Sequence, residues 1–157
     1  MKAETAMWLK LRPVLAAAKL DPVRVENPVY PGTPDVNLAD GRWIELKCVL
    51  AWPARASSAL RIPHFSPQQR VWLYRRWKYA PDMTYLLLEV RSTREWLLFD
   101  GDVAAKIVGR VPQAHLRHCA HAVLGVHELS ELPKIFAEVT ASVRRAEHAS
   151  RAERRAS

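Results

Sequence analysis

A chain of 157 residues, 49% apolar and 25% charged, has the length and composition of one globular domain with its own hydrophobic core. Its net charge of +8 favours polyanionic partners, nucleic acid first. No window of about 18 apolar residues is present to span a membrane. The start MKAETAMWLKLRP does not read as a signal peptide, and the two cysteines, Cys48 and Cys119, match no zinc spacing and suit a reducing cytoplasm.

Residues 3–20, AETAMWLKLRPVLAAAKL, predict a helix with Ala6, Leu9, Val14 and Leu15 on one face and an interruption at Pro13. Asp21-Pro22 ends it. VRVENPVY follows as an extended segment, PGTP (residues 31–34) as a turn and DVNLAD as a short strand. Asp40-Gly41 is the strongest hairpin dipeptide in the chain, and RWIELKCVL (residues 42–50) is the returning strand. Residues 51–65, rich in Pro and Ser, predict a long loop of the functional or mobile kind. Ser66-Pro67-Gln68-Gln69 is a helix start, with Ser66 as N-cap, Pro67 at the first position and Gln69 closing a capping box; the helix runs to about Tyr79.

MTYLLLEV is a nearly continuous apolar strand, as in the middle of a sheet covered on both faces. EWLLFD is a further strand and DVAAKIVG a short helix, while QAHLRHCAHAVLGVHEL is ambiguous. The rest forms a closing helix whose last ten or so residues are expected to fray. The fold class is α/β, with a main domain over residues 1–140 and a basic tail over 141–157. Five Arg against two Glu give that tail +3, so the remainder keeps +5 of the total and the basicity is not confined to the tail.

On the returning strand, Glu45 and Lys47 are two apart and point the same way, together with Trp43 and Val49. Ile44, Leu46, Cys48 and Leu50 form an apolar opposite face that fixes the register. The hairpin then brings Asp35 within side-chain reach of Glu45 or Lys47. Asp35 after Pro34 is also ordinary turn chemistry, and Glu45 with Lys47 would also suit a wet strand face. Two converging carboxylates favour a divalent cation, Mg²⁺ or Mn²⁺, and a lysine beside them can orient or deprotonate an attacking water or stabilise charge on phosphorus. Acid, acid and lysine on one hairpin are chemically sufficient for phosphodiester hydrolysis.

Pro34-Asp35, nine intervening residues and then Glu45-Leu46-Lys47 resembles the PD-(D/E)xK nuclease superfamily. The stretch GTPD…WIELK…FSPQQ looks like its small phage and archaeal members, the Holliday-junction-resolvase and VRR-NUC-like group, and the resemblance covers roughly residues 3–90. It implies a restriction-endonuclease-like α-β-β-β-α-β core, a mixed central sheet flanked by helices. Asp35 and Glu45 would be metal ligands, with the Leu46 carbonyl a further one, and Lys47 would be catalytic. A Gln on the following helix is implied, filled by Gln68 or Gln69; Gln68 is taken for the site because Gln69 is claimed by the capping box. An acid on the first helix is also implied, Glu4, with Glu26 as the alternative.

The resemblance further implies a metal-dependent DNA endonuclease acting on branched or junction DNA, a homodimer, and a cytoplasmic setting such as that of a phage-encoded enzyme. A restriction or repair nuclease acting on linear or single-stranded DNA, and a non-catalytic DNA-binding module, are the other readings. Arg70, Arg75, Arg76 and Lys78 lie among aromatics on the helix QQRVWLYRRWKY, and Arg55, Arg61 and His64 lie in the preceding loop; together they form the expected DNA-binding set, able to grip phosphates and stack bases. His115, His118, Cys119 and His121 fit no closed zinc site.

Overall fold

The structure, a computed structural model, describes residues 3–156. Its elements are α1 (Ala3–Ala17), β1 (Val23–Arg24), β2 (Val36–Asn37), β3 (Trp43–Val49), α2 (Pro67–Tyr79), β4 (Thr84–Val90), β5 (Glu95–Asp100), α3 (Gly101–Ile107), α4 (Gln113–Cys119), β6 (Ala122–Gly125), a 3-10 segment (Val126–Glu131) and α5 (Leu132–Ala156). The six strands form one open sheet in sequence order; β3 and β4 run parallel, and every other neighbouring pair is antiparallel. The parallel step is the one that needs a crossover, and α2 supplies it.

Helices cover both faces. Met7, Leu11 and Leu15 of α1, with Leu132 and Phe136 of α5, pack on Val36, Ile44, Leu46, Tyr85, Leu87, Trp96 and Leu98. On the other face Leu73 of α2, Ala104 of α3 and Leu116 of α4 pack on Leu86, Leu88, Leu97 and Phe99. β4 lies inside this sandwich and every one of its residues is buried, which is why its sequence is apolar without alternation. Among the described residues no helix is long and apolar enough to cross a membrane.

Three expectations change. The helix α1 continues through Pro13, and its buried stripe is Met7, Leu11 and Leu15, an i, i+4, i+8 row, while Leu9 is exposed. The ambiguous segment 113–129 is α4, then β6, then most of the 3-10 segment. The strand expected over DVNLAD is only Val36–Asn37. Its register, Val36 opposite Ile44, would place Pro34 opposite Leu46, and Pro34 has no N–H to give to the ladder. At the other end the hairpin closes through a three-residue loop: Leu38 N–H donates to the Arg42 carbonyl (2.9 Å), and Gly41 takes φ +94°. The closing helix α5 is helical to Ala156.

Candidate active site

The register places Asp35 beside Glu45, and alternation turns Glu45 and Lys47 toward α2. Both are buried, Glu45 completely. Lys47 Nζ lies 2.7 Å from Glu45 Oε1, and the Phe65 ring lies 6.0 Å from the same ammonium. Glu45 Oε1 also accepts a hydrogen bond from Gln69 Nε2. Glu45 Oε2 is buried and has no hydrogen-bond partner among the described residues. Burial, then the neighbouring Asp35 charge, raises the Glu45 carboxyl to about 8 against the pull of Lys47.

Asp35 takes up the Leu46 amide, at the point where the ladder with β2 has ended. Its Oδ2 accepts the Leu46 N–H (2.9 Å), and its Oδ1 accepts from Arg24 (3.3 Å). Burial raises its pKa; the Leu46 amide, Arg24 and Lys47 oppose this, and Glu4 adds to it. The Leu46 carbonyl shares the strand edge of its N–H and faces Pro34, so it receives no ladder bond from that residue.

Glu4 lies close enough to raise both Asp35 and Glu45 electrostatically, whereas Glu26 is exposed. The Glu4 backbone carbonyl accepts from Arg24 (3.2 Å), so one guanidinium ties α1 to Asp35. Among the described residues no group of three or more His, Cys, Asp and Glu side chains is placed to hold a metal ion. What does converge is Asp35, Glu45 and an open, buried Glu45 oxygen. Mg²⁺ takes one or two carboxylates and fills its remaining positions with water or phosphate oxygens, which fits this pair.

No known family, curated protein or solved structure matches the chain.

The glutamine at the site is Gln69, in place of the expected Gln68. Gln69 Oε1 accepts the Ser66 N–H in the capping box, and its Nε2 reaches Glu45, so one amide does both jobs. Gln68 is exposed. Arg24 and Phe65 were not singled out from sequence, although Arg24, in an alternating run next to the hairpin, is the type of residue that pairs across strands. Gly32 was not either. With φ +92°, a Cβ there would lie 2.6 Å from the Gln68 backbone, so the turn before Asp35 is pressed against the first turn of α2.

Of the expected DNA-binding residues, Arg55, Arg61, His64, Arg75, Arg76 and Lys78 are exposed. Arg70 is half-buried: it donates to the Ala105 carbonyl (3.1 Å) and stacks 4.1 Å from the Phe65 ring, joining α2 to α3. The loop 51–65 is pinned by the Ala59–Pro112 bridge and by buried Leu60, Ile62 and Phe65.

Proposed function

We propose that this chain is a Mg²⁺- or Mn²⁺-dependent endonuclease that hydrolyses phosphodiester bonds in DNA. The observation that carries the reading is the buried Glu45 oxygen without a partner, beside Asp35 and Lys47. A folded protein that buries a carboxylate normally supplies both its oxygens, and groups left unsatisfied and strongly shifted mark sites of function. The net charge of +8 and the PD-(D/E)xK-like order of Asp35, Glu45 and Lys47 support the same reading.

Asp35, Glu45 and the Leu46 carbonyl would hold the ion. When bound, it supplies a Lewis acid to the phosphoryl oxygen and lowers the pKa of a water. The protein does the rest. Arg24 and the Leu46 amide hold the Asp35 carboxylate in one orientation. Gln69 and Lys47 hold Glu45 by one oxygen and leave the other open. Lys47, with Phe65 excluding water on one side, presents its ammonium to a phosphoryl oxygen or to the attacking water. The exposed Arg55, Arg61, Arg75 and Lys78 grip flanking phosphates. Branched DNA as substrate and a homodimer as the working form are the finer parts of the proposal.

Cleavage of supercoiled plasmid and of a four-way junction with Mg²⁺, comparing wild type with Asp35→Ala and Lys47→Ala, tests it. Wild-type cleavage that both variants lose by about 10³-fold or more is the expected result. No cleavage by the wild type removes the enzyme, and equal activity in the variants removes the site.

A further inference from the structure

Trp43 stands two residues before Glu45 on the same face of β3, about 7 Å along the strand. Trp72 stands one helical turn after Gln69 on α2. The two indoles meet edge to face, with centroids 5.5 Å apart and planes at 66°. Both are partly exposed. The Arg76 guanidinium, one further turn along α2 and itself exposed, lies 5.2 Å from the Trp72 ring. Gln69, Trp72 and Arg76 therefore form one i, i+3, i+7 line that starts at Glu45 and runs outward through an aromatic pair to a cation.

Trp72 packs in part against the core on the α2 face, but core packing does not account for the whole arrangement. An edge-to-face contact uses the face of only one ring, and neither tryptophan is enclosed by what surrounds it. A flat aromatic surface next to a phosphate site, with a guanidinium beside it, is a platform for a nucleobase. Inside a duplex both faces of a base are already stacked on neighbours. A platform of this kind therefore selects a base that is unpaired or has left the stack.

We propose that Trp43, Trp72 and Arg76 form a base-stacking ledge, and that the DNA cut here carries an unpaired nucleotide next to the scissile bond. The inference rests on the nuclease reading for the cleavage it directs, but the binding it requires can be measured without cleavage.

The test is equilibrium binding in EDTA of two fluorescently labelled probes, oligothymidylate and a blunt, fully paired duplex of the same length. The proteins are wild type, Trp72→Ala, Trp72→Phe and Arg76→Ala. Wild type is expected to prefer oligothymidylate. Trp72→Ala should lose about tenfold on oligothymidylate and less than about twofold on duplex, while Trp72→Phe, which keeps a ring, should retain most of the affinity. Arg76 is exposed, so Arg76→Ala keeps the test decisive if Trp72→Ala fails to fold, and it should show the same selective loss at smaller size. Equal losses on both probes, no loss in any folded variant, or a wild type that binds neither probe overturns the ledge. A selective loss in a protein that cuts nothing keeps the ledge and removes the nuclease. Cleavage with no selective loss does the reverse.

Discussion

Glu45 on β3 and Glu89 on β4 are carboxylates buried in the same sheet, 0% and 2% exposed, one facing α2 and the other facing α1. Each has a lysine beside it: Lys47 at 2.7 Å from Glu45, and Lys10 in an ion pair with Glu89. Their remaining oxygens differ. Glu89 Oε2 accepts from the Cys48 thiol (3.6 Å) and lies 4.0 Å from Arg91, so both of its oxygens are supplied. Glu45 Oε2 has nothing, and a second acid, Asp35, is held next to it. Glu89 is a structural ion pair whose cost of burial is met inside the chain. Glu45 is held in an unfavourable state by neighbours that are themselves well fixed, the state that the proposed cation would relieve.

The largest expected effect comes from making the same change on both faces. Glu45→Gln should remove cleavage by about 10³-fold while the folded state persists, because relief of the disfavoured carboxylate and its repulsion with Asp35 offsets the loss of a charged partner for buried Lys47. Glu89→Gln should leave the cleavage chemistry in place but lower stability by about 2–3 kcal/mol. That is at or just below the low end for a broken buried pair, since Lys10 is 44% exposed and can return to water. Urea midpoints and plasmid cleavage on both variants check this; a Glu45→Gln protein as destabilised as Glu89→Gln would erase the distinction.

Gly32→Ala comes next. The left-handed backbone alone costs a substituted residue about 1–2 kcal/mol, and the Gln68 backbone stands in the way of the new carbon. The expected result is a lower melting temperature together with reduced cleavage, because Asp35 and Gln69 sit on the two segments that this contact joins.

A further effect is on pH dependence. Glu45 binds its proton more tightly in the folded state, with a carboxyl raised from 4.5 to about 8, so the folded protein holds an extra proton across that window. Stability without metal should therefore fall as pH rises from about 4.5 through about 8, and Asp35, also raised, adds to the same slope. Glu45→Gln should flatten the profile. Urea midpoints in EDTA at the two ends of the window measure it, and a stability that rises with pH in the wild type and is unchanged in the variant would remove the assignment to Glu45.

Much of this was legible in the sequence. The shared side of Glu45 and Lys47 followed from strand alternation, with Ile44 and Leu46 fixing which side is core. The Ser66–Gln69 capping box and the fully buried β4 were also readable, because local rules decide them. That Gln69 rather than Gln68 reaches Glu45 is not legible from the capping box alone, since an amide has an oxygen for the cap and a nitrogen for Glu45. Arg24 reaches Asp35 only through the pairing of β1 with β2, and Gly32 depends on its contact with α2, a segment distant in sequence that no local pattern encodes.

The two ends of the sheet bear on how copies of this chain can meet. β1 has two residues and β6 has four, so neither edge offers a long row of free backbone groups to a strand of another molecule. Continuation of the sheet from one copy into the next is therefore a poor route to a pair. The same short edges remove a template for fibrous association, a useful property in a protein that places long apolar strands such as β4 at its centre.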